Sequence, residues 1–253
     1  LLAALSHSTK GLPKSIFDQA YGKDKSSLAL PGGHGQSYAV LKDVYKSLLS
    51  QGYVYAYIGN VDNIGYSPEP RELAIMALSG AEAAFEYSYR SAVDIKGGVL
   101  IQTGSGRRTV ADIGQAISFD KVLELEKRGE KVLFNCATGL FDLRQIVPKL
   151  DEIALRLPLR VSDQDKDAGL YSQAEQSTWE VVGLLDNPLG FAVNKSERFI
   201  AAKLLAETLL ASLPAGTRLP EAALESSKAL SEGLAAVLQN TCKLRLDGGV
   251  WRC

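Results

Sequence analysis

Between Gly52 and Asn63 the chain reads Tyr53-Val54-Tyr55-Ala56-Tyr57-Ile58 and then breaks into Gly59-Asn60-Val61-Asp62-Asn63. Aromatic and β-branched residues favour a strand. A strand that stops in amides and a carboxylate delivers polar side chains to the carboxyl edge of an open α/β sheet, where ligands bind. Asp62 suits a hard cation that also touches phosphate oxygens, because such an ion needs only one or two protein carboxylates. A solvated turn accounts for the same residues, given the turn preferences of Asn and Asp. Local pattern leaves both readings open.

The 253 residues suffice for one large α/β domain or two small ones, with 46% hydrophobic and 23% charged residues as in ordinary globular chains. A net charge of −1 gives no general attraction to nucleic acid or to an anionic membrane, so phosphate binding has to come from a local site. No basic-aromatic stripe points to nucleic acid. Cys136, Cys242 and Cys253 lack metal spacing and are odd in number, which fits a reducing compartment, the cytoplasm by default. No apolar run reaches the roughly 18 residues of a membrane span.

Upstream of the central stretch, Pro31-Gly32-Gly33-His34-Gly35 precedes Tyr38, Leu41, Val44, Tyr45, Leu48 and Leu49, whose spacing of three and four predicts an amphipathic helix ending at Gly52. A glycine loop ahead of a helix exposes N–H groups to an anion or a closely apposed sugar or base. No Gly-Lys-Ser/Thr follows it and no β-branched run precedes it, so it is neither a P-loop nor a dinucleotide fingerprint. A turn with an exposed His34 is the plain alternative.

Downstream, Pro68-Glu69-Pro70 should start a helix and Ala83–Tyr89 form a strand. Lys96-Gly97-Gly98 leads into a strand closed by the turn Gly104-Ser105-Gly106; the paired glycines allow either close approach to a ligand or a simple bulge. Thr109–Ile117 reads as a strand holding Asp112, Phe119–Lys127 as a helix, and Lys131–Asn135 as a buried strand ending in Asn135. Pro148 should kink the helix Leu143–Leu155. Leu159–Gly169, with the acidic run Asp163–Asp167, reads as a mobile surface loop, Trp179–Leu185 as a strand, and Ser196 onward as one helix with Lys203 placed to pair with Glu207. A helix over Glu221–Gln239 and a single edge strand in the tail complete the chain.

Taken in order, Phe17-x-Gln19, Pro31-Gly-Gly-His-Gly35, Asn60-x-Asp62-Asn63, Asp94-x-Lys-Gly-Gly98, Phe134-Asn135, Gln173-x-Glu175 and Arg198-Phe199-x-x-x-Lys203 resemble the UDP-glucose pyrophosphorylase (UTP-glucose-1-phosphate uridylyltransferase) family over residues 15 to about 212. The resemblance implies an α/β fold, a Rossmann-like nucleotidyltransferase domain with a mixed, mainly parallel central sheet flanked by helices. That partial domain would occupy residues 1–212, and 213–253 would be a C-terminal helix and tail. It further implies that UTP and a sugar 1-phosphate, glucose 1-phosphate by default, give a UDP-sugar and pyrophosphate by in-line attack on the α-phosphate. Gln19 and Gly33 would sit against uracil, with His34 and Asn60 near sugar and phosphates. Gly97, Asp112, Asn135 and Glu175 would face the glucose, Asp62 would hold Mg²⁺, and Lys203 would reach the phosphates. A nucleotide-sugar-binding or regulatory relative without turnover is the second reading.

Three segments depart from the family pattern. Cys136-Ala137-Thr138-Gly139 replaces a Thr-Asn-Asn-like run, Lys195-Ser196-Glu197 replaces a Pro-Arg-like turn, and at most the tail strand represents the C-terminal β-helix of many relatives. The family's glycine-rich loop and its Lys would precede Leu1, so residues 1–253 alone are expected not to turn over.

Overall fold

The computed structural model describes residues 2–3, 29–30, 32–91, 94–166, 169–202, 205–214 and 217–253. Its strands are β1 (Leu2–Ala3), β2 (Ala29–Leu30), β3 (Tyr55–Gly59), β4 (Ala83–Tyr89), β5 (Gly98–Gln102), β6 (Arg108–Asp112), β7 (Leu133–Asp142), β8 (Arg160–Lys166), β9 (Gly169–Glu175), β10 (Pro188–Ala192), β11 (Arg245–Asp247) and β12 (Val250–Arg252). The helices are α1 (Ser37–Val40), α2 (Lys42–Ser50), α3 (Pro70–Ser79), α4 (Phe119–Lys127), α5 (Leu143–Ile146), α6 (Leu150–Arg156), α7 (Lys195–Arg198), α8 (Leu205–Ala211) and α9 (Glu221–Ala236). Six strands form the main sheet in the order β10-β4-β7-β5-β6, with β3 also on β7; β1-β2, β8-β9 and β11-β12 are separate pairs.

The sheet is mixed but mostly antiparallel with one parallel pair, which corrects the mainly parallel expectation. Tight connections are the cause. The turn between Thr103 and Arg107, closed by the Thr103 N–H on the Arg107 carbonyl at 2.7 Å, folds β6 straight back on β5 in antiparallel register, whereas a parallel neighbour needs a long crossover. Val99 then pairs Phe134 antiparallel on β7.

Several local signals act as their chemistry dictates. Pro70 opens α3 and the Glu69 carboxylate accepts the Arg71 N–H at 3.1 Å, while Gly80 ends it at φ 67°. Ser118 caps α4 through the Lys121 N–H. Asp142 caps α5 through the Arg144 N–H at 2.9 Å, and Pro148 turns the next residues into a 3-10 segment, Val147–Lys149.

Other expectations fail. β7 runs on through Asn135 to Asp142, so Asn135 is not a strand tip; Ala137, at φ 51°, absorbs the irregularity of Cys136-Ala137-Thr138-Gly139. Within the loop expected over 159–169, the described residues Arg160–Lys166 and Gly169 belong to the antiparallel strands β8 and β9, where cross-strand pairing overrides a polar composition. Trp179–Leu185 lies in a 3-10 segment, Thr178–Leu184. The single helix expected from Ser196 is the short α7 and, further on, α8. The tail is two strands, β11 and β12, paired Leu246↔Trp251.

The chain divides into two compact units, interleaved along the sequence. Residues 1–56, 90–134 and 142–188 form the first. Its core gathers Tyr38, Val99, Val110, Val122, Leu143, Leu150 and Val181, and the buried Tyr38 hydroxyl donates to the Thr178 carbonyl at 3.3 Å.

Residues 57–89, 135–141 and 189–253 form the second. Here Met76, Phe85 and Phe141 are almost wholly buried, the two rings meeting edge to face at 5.5 Å. Through the same core runs a charged cluster. The Arg198 guanidinium grips both oxygens of Glu86, and donates to the Ser67 hydroxyl at 2.8 Å, the Ser67 carbonyl at 2.8 Å and the Tyr57 hydroxyl at 2.7 Å. Tyr57 in turn donates to Glu86 at 2.9 Å. Breaking such a buried pair by removing one partner costs about 3–5 kcal/mol.

Glu72, on α3, is drawn into this cluster. Burial, and then the charge of Glu86, push its carboxyl up to about 8, against the pull of Arg198. Its folded pKa therefore lies above the 4.5 of the unfolded chain, and the folded state keeps a proton that the unfolded state has released. This contribution makes stability fall as pH rises from about 4.5 to about 8, and it is constant above that range. Urea midpoints across the range should decline less steeply for Glu72→Gln than for the wild type; identical slopes would contradict the assignment.

Candidate functional site

In the first unit the glycine loop is laid against residue 176. The Gly35 N–H donates to the Gln176 carbonyl and the Gln176 N–H to the Gly32 carbonyl, each at 2.8 Å. Gln176 is itself held by its side chain, which donates to the Leu157 carbonyl at 3.0 Å and the Ala154 carbonyl at 3.3 Å. The apposition is so close that a Cβ at Gly33 would overlap the Gln176 carbonyl, and φ at Gly33 is 85°. Glycine is required there by both space and backbone geometry.

His34 follows on a 3-10 turn. Its Nδ1 accepts the Thr178 N–H at 2.9 Å, while the Thr178 hydroxyl donates back to the His34 carbonyl at 2.8 Å. A backbone N–H can only donate, so Nδ1 carries the lone pair and the neutral ring keeps its proton on Nε2. Trp179 stands 6.1 Å from the ring, tilted at 49°. The residue stays exposed at the surface, as the turn alternative expected; partial desolvation of the imidazole lowers its pKa, and the negative charges of Asp112 and Glu175 oppose that shift.

Asp112 and Gly97 adjoin one another through the β5-β6 ladder: Gly98 pairs Asp112, and the Ile113 N–H donates to the Gly97 carbonyl at 2.9 Å. Gly97 has φ 113°, and a Cβ there would stand 2.6 Å from the Phe134 ring. The aromatic ring takes the volume that a side chain would need. Burial raises the pKa of Asp112, opposed by His34 and Arg160. Arg160 also holds the buried Glu180 carboxylate through Nε at 3.0 Å and Nη2 at 2.7 Å. Of the sequence candidates, Gly33, His34, Gly97, Asp112 and Glu175 thus share the first unit.

Asn60, Asp62 and Asn135 fall in the second unit. The Asn60 N–H donates to the Ala137 carbonyl at 3.2 Å, and Asn135 Oδ1 accepts the Ala137 N–H at 2.9 Å. Both residues therefore grip the kink in β7. Asn135 is 4% exposed, and its Nδ2 has no hydrogen-bond partner. Asp62 is half-buried on the turn after β3, and its carbonyl accepts the Ala202 N–H at 2.8 Å. Among the described residues no group of three or more His, Cys, Asp or Glu side chains could hold a metal by itself. Gln19 and Lys203 lie outside the described residues.

Sequence reasoning passed over Thr178, Gln176, Arg160 and Glu180. Thr178 and Gln176 are separated from the glycine loop by more than a hundred positions and carry no motif of their own. Cys136 is buried and pushed up to about 12 by that burial, which makes it a packing residue and not a nucleophile. No helix among the described residues is long and apolar enough to cross a membrane.

The architecture is that of the UDP-glucose pyrophosphorylases. A Trypanosoma brucei UDP-glucose phosphorylase superposes with a TM-score of 0.64 at 24% identity, over 79% of this chain and 46% of that one. A Leishmania major UDP-glucose pyrophosphorylase point mutant in complex with UDP-glucose superposes with a TM-score of 0.61 at 20% identity, over 78% and 45%. The UTP–glucose-1-phosphate uridylyltransferase family model matches residues 13–226, and the chain belongs to that family. The Astragalus penduliflorus UTP–glucose-1-phosphate uridylyltransferase is 26% identical over 182 residues, which are 71% of this chain and 38% of that protein. The chain thus spans well under half the length of the curated relative.

The environment of His34 is open to titration. Its ring should have an NMR midpoint below 6.5, and Asp112→Asn should lower that midpoint further by removing a charge that favours the imidazolium. A midpoint above 6.5, or an upward move in the variant, would contradict this geometry.

Proposed function

We propose that this chain carries the nucleotide-sugar part of a cytoplasmic uridylyltransferase that makes UDP-glucose and pyrophosphate from UTP and glucose 1-phosphate. The observation that carries the reading is the setting of His34: a neutral imidazole fixed by Thr178, beside Asp112 and Glu175, in a chain of this family. In the reading, Gln19 and Gly33 meet the uracil, His34 and Asn60 the sugar and phosphates, and Gly97, Asp112, Asn135 and Glu175 the glucose.

The nucleophile, a sugar-1-phosphate oxygen, is already an anion. No general base is needed; the site has to bring two polyanions together and offset the charge of the transition state. A neutral His34 with its proton on Nε2 is suited to donate one hydrogen bond and so to orient a substrate oxygen. The ammonium of Lys203 offsets phosphate charge. Asp62 is the carboxylate assigned to Mg²⁺. A half-buried carboxylate with no metal-binding cluster among the described residues fits an ion that draws most of its oxygens from phosphates and water. When bound, Mg²⁺ supplies charge neutralisation on the phosphates.

Pyrophosphate release from UTP, measured in the full-length protein against a series of sugar 1-phosphates, tests the reading. Glucose 1-phosphate should be the preferred acceptor. Binding of UDP-glucose without transfer to any acceptor would favour a regulatory relative instead.

Lys203→Ala should lower the rate far more than it weakens UDP-glucose binding, and wild-type turnover in that variant would remove Lys203 from the mechanism. Asp62→Asn should abolish activity together with its Mg²⁺ dependence; an unaltered metal titration would count against Asp62 as the ligand.

A further inference from the structure

Asn63 is 3% exposed and uses its whole hydrogen-bonding capacity. Its Oδ1 accepts the Gly65 N–H at 3.1 Å and the Ile200 N–H at 2.9 Å. Its Nδ2 donates to the Arg198 carbonyl at 2.9 Å and the Cys136 carbonyl at 3.3 Å. Two donors on one side and two acceptors on the other leave a single orientation for the amide.

Backbone bonds run parallel to these. The Ile64 N–H donates to the Ile200 carbonyl at 3.0 Å, and the Ala202 N–H to the Asp62 carbonyl at 2.8 Å. Gly65 allows the approach, since a Cβ there would lie 2.7 Å from the Glu197 carbonyl. The segment Arg198–Ala202 is therefore strapped along the turn that carries Asp62, and its far end is pinned by the Arg198 side chain on Glu86. Lys203 is the next residue after Ala202.

We propose that Asn63 is a positioning residue: its side chain sets the turn that carries Asp62 in one fixed relation to the backbone of Arg198–Ala202, so that the carboxylate assigned to Mg²⁺ is held in place. This rests on the role given above to Asp62. Asn63 touches no substrate in this account. Its effect is on the placement of charge at the phosphates, with the His34 loop left to bind nucleotide sugar.

Asn63→Ser, made in the full-length protein, is too short to reach both the Arg198 carbonyl and the Ile200 N–H. Its kcat should fall about 100-fold, the scale of a displacement near 1 Å at a reacting centre. Its dissociation constant for UDP-glucose should stay within about threefold of wild type. Amide hydrogen exchange should quicken at Gly65, Ile200 and Ala202 while β4 stays protected. Wild-type kcat in a folded variant overturns the proposal, as does an equal loss of kcat and UDP-glucose affinity. Exchange that quickens through β4 as well would also overturn it, making Asn63 a general support of the core. A wild-type protein without uridylyl transfer would sink the functional reading itself, and the exchange pattern would then decide the strap by itself.

Discussion

The guanidinium of Arg198 is held inside the second unit by one carboxylate, two hydroxyls and a backbone carbonyl. A charge in that position is tolerated only because each of its demands is met; with one partner missing, the desolvation of the other would not be repaid. Glu86 lies within β4, whose first six residues are all buried, so the pair is fastened to the buried core of the unit. What Arg198 gives in return is location. A short helix, α7, ends there, and the residues after it are brought to the Asp62 turn without a regular element to carry them.

The first unit uses a different device for the same end. Its glycine loop has little packing of its own, so it is placed by backbone bonds to Gln176 and by the reciprocal pair of contacts between His34 and Thr178. Each candidate segment is irregular, and each is held by hydrogen bonds to residues distant in sequence. Main-chain groups are ideal for such work, since every residue offers them and an unpaired one is costly when buried. The consequence for chemistry is a histidine whose tautomer is dictated by the backbone and whose protonation is resisted by partial desolvation of its ring.

Carboxylates show how strongly context decides the outcome. Asp142 keeps its pKa below the usual range because Arg144 and backbone bonding outweigh its burial. Asp112 and Glu72 have theirs raised. The three residues are chemically alike in the sequence, and no spacing rule separates them. What separates them is the balance between burial and the hydrogen bonds and charges that surround each one.

Much of the element order could be read from one dimension. Glycine after α2 and α3, Pro70 in a first turn, Ser118 at a cap and the tight turn between β5 and β6 are local events, fixed by φ preferences and nearby hydrogen bonds that need no distant partner. The order of short motifs was enough to indicate the family. Tertiary structure decided the rest. The stretch 163–166 became part of strand β8 because a partner strand was there to pair with it, and Trp179 entered a 3-10 segment in spite of its strand-like neighbours. Asn63, read as one more polar residue in a turn, became a fourfold strut because Arg198, Ile200 and Cys136 arrive from elsewhere in the chain. Local preference is written in neighbouring residues, whereas a hydrogen bond across more than a hundred positions exists only once the chain has folded.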